Sequence, residues 1–77
     1  DDVIVMMVTT APSRFTHDVH VTPSDPEFPA TGLKKDSTFR AGKIYTLSKQ
    51  LVKRRLGIAG PDLRARLKRA LGLVIGL

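Results

Sequence analysis

The sequence predicts a mainly β fold, an antiparallel sheet packed against one C-terminal helix. Three observations carry this. Val3-Ile4-Val5-Met6-Met7-Val8 is an apolar run too short for a globular helix and rich in β-branched residues. His17-Asp18-Val19-His20-Val21 alternates with a period of two. Leu63, Leu67, Ala70 and Leu71 recur at helical spacing behind a Gly60-Pro61-Asp62 start.

Taken in order, the first run lacks polar alternation and so reads as a central strand covered on both faces. It leaves the core at Thr9-Thr10, which are either ordinary strand-end residues of good β propensity or hydroxyls presented for chemistry. Pro12 stops regular pairing. The alternating stretch then places His17, Val19 and Val21 on one face and Asp18 and His20 on the other, as in a half-buried strand forming a hairpin with the first. Pro23, Pro26 and Pro29 make 22–32 a long surface loop. A third strand runs from Ser37 to Arg40 and continues through Lys43–Leu47, past a bulge or bend at Ala41-Gly42. Ser48-Lys49-Gln50 reads as a polar turn or one turn of helix, and Leu51–Leu56 as a short basic strand. The helix is predicted over about 61–71: Gly60 as N-cap, Pro61 at the first helical position, Asp62 on the positive end of the dipole, Gly72 as C-cap. Leu73-Val74-Ile75-Gly76-Leu77 is an apolar tail expected under the sheet or against another subunit.

Seventy-seven residues, 42% of them hydrophobic and 26% charged, fit a single folded domain over 1–77, near the size at which one small core is marginal. There is no cysteine, which excludes disulfides, thiolate nucleophiles and Cys-ligated zinc. No apolar run approaches the roughly 20 residues of a membrane span, and Asp1-Asp2 is not the basic start of a secretory signal, so the expected compartment is the cytoplasm. The chain does not begin with methionine, which suggests an N-terminal truncation. Charge is unevenly placed. Residues 1–32 hold one base against five acids, a net of −4, whereas 33–77 hold twelve bases against two acids, a net of +10. So asymmetric a charge is the footprint of a polyanion binder, whether nucleic acid or an acidic protein segment, or else of a solubilising surface.

Lys34 and Lys35 sit beside the long loop and are the better-placed cations. Lys53, Arg54 and Arg55 alternate in direction and read as a solvated edge strand. His17 and His20 fall on opposite faces and so do not converge on one metal ion. Phe39 reads as core; Phe15 and Phe28 lie in loops, as anchors or as platforms for stacked bases.

The order of these parts resembles the MazF/PemK family of toxins: a buried strand ending in Thr-Thr, a proline-rich loop, Gly32-Leu33 before Asp36-Ser37, then Lys43-Ile44-Tyr45-Thr46-Leu47-Ser48-Lys49, a basic segment closing at Leu56-Gly57, and a helix ending in Arg69-Ala70-Leu71-Gly72-Leu73. The resemblance implies a strongly bent sheet of SH3-like barrel (MazF/CcdB-like) type. It further implies a homodimeric toxin of a type II toxin–antitoxin system, a sequence-specific endoribonuclease that cleaves single-stranded RNA without metal or other cofactor and is neutralised by an acidic antitoxin. It assigns Thr9 as the hydroxyl at the scissile phosphate and Thr10 as its neighbour, with Lys43 facing RNA. Lys34, Lys35 and, in the adjoining loop, Arg14 are the further candidates for RNA contact.

Two departures qualify that assignment. Tyr45 replaces an arginine common in the family, and no Arg-Pro pair, the family's other catalytic element, occurs in the chain. A chain starting at Asp1 is therefore expected to lack two N-terminal strands and, without them, catalysis. The alternatives are a non-catalytic small-barrel module binding nucleic acid or an acidic peptide, and a gyrase-directed toxin on the same fold.

RNA cleavage by its own 2′-hydroxyl requires in-line geometry and stabilisation of the charge growing on the phosphoryl oxygens. A fixed hydroxyl donor at Thr9 and a guanidinium pairing with the phosphate supply both.

Overall fold

The computed structural model describes residues 1–76. Its sheet is built on β3 (Ser37–Ser48), flanked by β1 (Asp2–Thr9) and β2 (Asp18–Val21), both antiparallel to it, in the order β1-β3-β2. A short helix α1 (Phe28–Thr31) lies in the loop after β2, a 3-10 turn (Lys49–Leu51) follows β3, and α2 (Pro61–Ile75) is the last element. Mainly antiparallel sheet with a C-terminal helix is the predicted class; the three-stranded sheet is bent and unclosed. The bend lies where expected. β1 pairs with β3 from Asp2↔Ser48 to Met6↔Ile44 and resumes at Met7↔Arg40, leaving Ala41, Gly42 and Lys43 without partners on β1.

Three expectations change. The central strand is β3, not the apolar first run: β1 is an edge strand, and its Ile4 is 77% exposed. β2 does not form a hairpin with β1. The chain between them carries β2 to the far edge of β3, and the turn that launches it is tied by Asp18, whose N–H donates to Phe15 O at 3.0 Å. Residues 52–56 are not a strand. The segment that holds this basic stretch joins no ladder and docks on α1, where Ile58 N–H donates to Ala30 O at 2.9 Å. That approach needs Gly57, since a Cβ there would lie 2.2 Å from Ala30 O.

One face of the sheet is apolar. Val19 and Val21 of β2 and Ala41 of β3 bury against Phe28 and against Leu63 and Ala70 of α2. Phe28 is therefore a core residue, which explains the helical turn inside a loop otherwise shaped by prolines. Phe39 packs against this cluster as expected, while Phe15 is 55% exposed.

The N-terminus of α2 matches the predicted Gly60-Pro61-Asp62 start, with a cap that comes from elsewhere. Glu27 Oε2 accepts from Asp62 N–H at 3.0 Å and Oε1 from Leu63 N–H at 2.7 Å. The helix runs a turn beyond the predicted end, through Gly72 to a left-handed cap at Gly76, because the apolar tail continues the helical spacing. Leu73, Val74 and Ile75 are thereby exposed rather than tucked under the sheet; Leu77, the last residue of the tail, lies outside the described residues. Among the described residues no helix is long and apolar enough to cross a membrane.

Candidate functional site

The sheet face away from α2 is polar over its central width. Cross-strand partners share a face, so the register Thr9↔Thr38↔His20 sets a row of three polar side chains across all three strands. The row is tied together. Thr38, fully buried, donates its hydroxyl proton to Ala11 O at 2.8 Å, and its oxygen lies 2.8 Å from His20 Nδ1. A hydroxyl has one proton, so the imidazole must be the donor, and donor counting assigns His20 a protonated Nδ1. Its Nε2 lies 3.8 Å from Asp36 Oδ2 at the surface. Ala11 is held at its other end as well: its N–H donates to Thr9 Oγ1 at 3.1 Å. Thr9, half-buried, thus receives a hydrogen bond and keeps its own proton for a further acceptor.

A second row lies two residues along each strand on the same face, where Met7↔Arg40↔Asp18 spans the sheet. Asp18, its side chain only 1% exposed, accepts at Oδ2 from the backbone N–H groups of Arg14 (2.9 Å) and Phe15 (3.2 Å) and from Arg40 Nη1 (3.4 Å). Burial works to raise this carboxyl, but the two backbone donors, Arg40 and His17 outweigh it and hold the group below its ordinary range. Arg40 also reaches Pro12 O at 3.5 Å, so both rows grip the loop that follows Thr9. Beside this pair, Phe15 and His17 stack with ring centroids 5.2 Å apart, and a cleft of about 200 Å³ opens among Phe15, His17, Arg40, Gly42 and Lys43.

The predicted site residues fall into two groups. Thr10, Lys34 and Lys35 are exposed at the end of the sheet where β1 leaves and β3 enters, the end that holds Thr9. Arg14 and Lys43 are exposed near the Asp18–Arg40 pair, with Arg14 tied to it through its backbone alone. Sequence reasoning missed Thr38 and Arg40 as partners of His20 and Asp18. The signal was half present: the alternation put Asp18 and His20 on one face, but the strand facing them was misassigned.

Two larger clefts flank the polar face rather than open on it. One, of about 530 Å³, lies between β2 and α2 beside Arg66 and Arg69, and the other, of about 470 Å³, is apolar with Arg54 and Arg55 on its rim. Arg66 crosses the first to donate to His20 O at 2.7 Å. Among the described residues no three His, Asp or Glu side chains gather as a metal-binding set.

Compared with known proteins, residues 1–75 match the model of the PemK-like, MazF-like toxins of type II toxin–antitoxin systems. Among solved structures, the chain is similar to an endoribonuclease in complex with its cognate antitoxin from a mycobacterial species, at 28% identity and a TM-score of 0.79. It is similar also to an endoribonuclease from a mycobacterial species, at 29% identity and a TM-score of 0.78. Each likeness covers 99% of this chain, which spans 66% and 65% of the two relatives' lengths. A search of curated proteins returns no significant match.

Proposed function

Since the chain belongs to the PemK-like, MazF-like toxins of type II toxin–antitoxin systems, we propose that the protein is the toxin of such a pair, a metal-independent endoribonuclease acting on single-stranded RNA in the cytoplasm. The observation that carries this reading is the state of Thr9. At a strand end, with Ala11 N–H on its oxygen, the hydroxyl has a set direction and a proton to give to a phosphoryl oxygen as charge builds there. Thr10, Lys34 and Lys35 line the same end of the sheet and supply cations and donors for the flanking phosphates; Arg14 and Lys43 extend the track toward the Asp18–Arg40 pair. Arg40 in the neighbouring row has its guanidinium turned to Asp18 and Pro12 O.

In the same reading an acidic antitoxin covers this basic surface, and a second copy of the protein packs against the apolar side chains left exposed on the last turn of α2, Leu73 and Ile75. The test is incubation of the full protein with single-stranded RNA in the presence of EDTA. Cleavage is expected, and Thr9→Ala should slow it roughly 10²-fold or more with folding retained, because one positioned donor is lost. RNA left intact, or cleavage that EDTA abolishes, overturns the proposal; salt-sensitive binding without product would instead favour a non-catalytic module.

A further inference from the structure

We propose that His20 is a positioning residue for Thr9, acting through Thr38 and Ala11. This rests on the reading of Thr9 as the hydroxyl at the scissile phosphate. Three hydrogen bonds link them: His20 Nδ1–H to Thr38 Oγ1 at 2.8 Å, Thr38 O–H to Ala11 O at 2.8 Å, and Ala11 N–H to Thr9 Oγ1 at 3.1 Å. The Ala11 C=O and N–H belong to two peptide units joined at its Cα, so the linkage is one of position: holding the carbonyl fixes the residue whose N–H meets Thr9.

The geometry explains why the imidazole matters although it lies two strands away. Thr9 is the final residue of β1, and past it the backbone is held by the ladder no longer. What orients Thr9 Oγ1 is Ala11, and what orients Ala11 is a buried hydroxyl that reaches across from β3. Thr38 can rotate its proton toward Ala11 O or toward His20. Only an imidazole that carries its proton on Nδ1 forces the first choice; a proton on Nε2 would turn Nδ1 into an acceptor and draw the hydroxyl away from Ala11. His20 is itself anchored from behind by Arg66 of α2, whose guanidinium donates to its carbonyl at 2.7 Å. The helix thus reaches the sheet's polar face without touching it.

Substitutions that separate this role from packing are Thr38→Val against Thr38→Ser and His20→Phe against His20→Asn. Valine keeps the shape of threonine without the hydroxyl, and asparagine keeps a donor near the place of Nδ1. On the full protein, Thr38→Val and His20→Phe are expected to lower kcat for RNA cleavage about tenfold or more with KM within about twofold, while Thr38→Ser and His20→Asn recover most of the rate. In a Thr9→Ala background Thr38→Val should change the residual rate less than about twofold, because its effect passes through Thr9. Nitrogen NMR of the folded protein is expected to show a proton on His20 Nδ1.

Equal losses from Thr38→Val with and without Thr9, full activity in His20→Phe, or a His20 Nδ1 without a proton would each overturn the role while leaving the nuclease assignment standing. A wild-type protein that does not cleave RNA overturns both.

Discussion

Removing the Glu27 carboxylate should loosen α2 from a distance of 35 residues in sequence. Its two oxygens take the N–H groups of Asp62 and Leu63, which have no acceptor inside the helix, and Gly60 at the N-cap has no side chain to do so. A lost N-cap costs about 1 kcal/mol, and a negative charge at the helix N-terminus adds about 0.3–1 kcal/mol. Glu27→Ala should therefore destabilise the fold by about 1.3–2 kcal/mol, and Glu27→Gln, which keeps one acceptor and loses the charge, by about 1 kcal/mol. For a chain of this size each kcal/mol moves Tm by about 4–8 °C, so thermal unfolding followed by circular dichroism should show Glu27→Ala melting about 5–16 °C below wild type.

Gly60→Ala provides an internal check. A Cβ at that position would lie 2.4 Å from the Glu27 carboxyl carbon and push the carboxylate off the helix. The double variant should lose less than the sum of the two single losses, because both act on the same pair of hydrogen bonds. Additive losses, or a Glu27→Ala protein that melts within about 2 °C of wild type, would refute the remote cap.

Asp18, with its carboxyl held below the usual range in the folded state, contributes stability that is present above the unfolded pKa and is lost as pH falls through the folded value. The stability gap between wild type and Asp18→Asn, read from urea unfolding, should narrow below about pH 4, and a gap constant with pH would contradict this. Gly57→Ala should cost about 1–3 kcal/mol, because its Cβ meets the rigid carbonyls of Ala30 and Thr31; a melting temperature equal to wild type would show that the 52–60 segment is not docked on α1. Phe28→Ala should cost about 3–5 kcal/mol, as expected of a core residue, with RNA binding lost only in proportion to unfolding; a stable variant with weakened binding would return Phe28 to the role of a stacking platform.

What could be read from the residues was local. The two-residue alternation from Asp18 to Val21 and the helical spacing from Leu63 to Leu71 each report which side of one element faces the core, and both hold in the structure; His17, expected on the face of Val19 and Val21, precedes β2 and stacks on Phe15 beside Arg40. Strand order is not local. An unbroken apolar run suggests burial on both faces, yet β1 lies at an edge with Ile4 in solvent, because β3 is long enough to pair on both sides and takes the centre. Leu51–Leu56 has strand composition but joins no ladder, and the cap of α2 comes from a residue that no window around Gly60 contains.

The candidate site was half legible for the same reason. Alternation puts Asp18 and His20 on one face, but their chemistry depends on which residues of β3 they meet, and that is a matter of register. Shifting β2 by one residue against β3 would turn Asp18 and His20 toward α2 and expose Val19 and Val21 on the opposite face. The slip would part the Asp18 carboxylate from Arg40 and His20 Nδ1 from the Thr38 hydroxyl, each a loss of about 1–3 kcal/mol. The apolar face alone would penalise that slip, and the two polar rows penalise it again from the other side. The side chains that order the loop after Thr9 are therefore also those that select the sheet's register, so variants in either row should alter both the native pairing and the hydroxyl it presents.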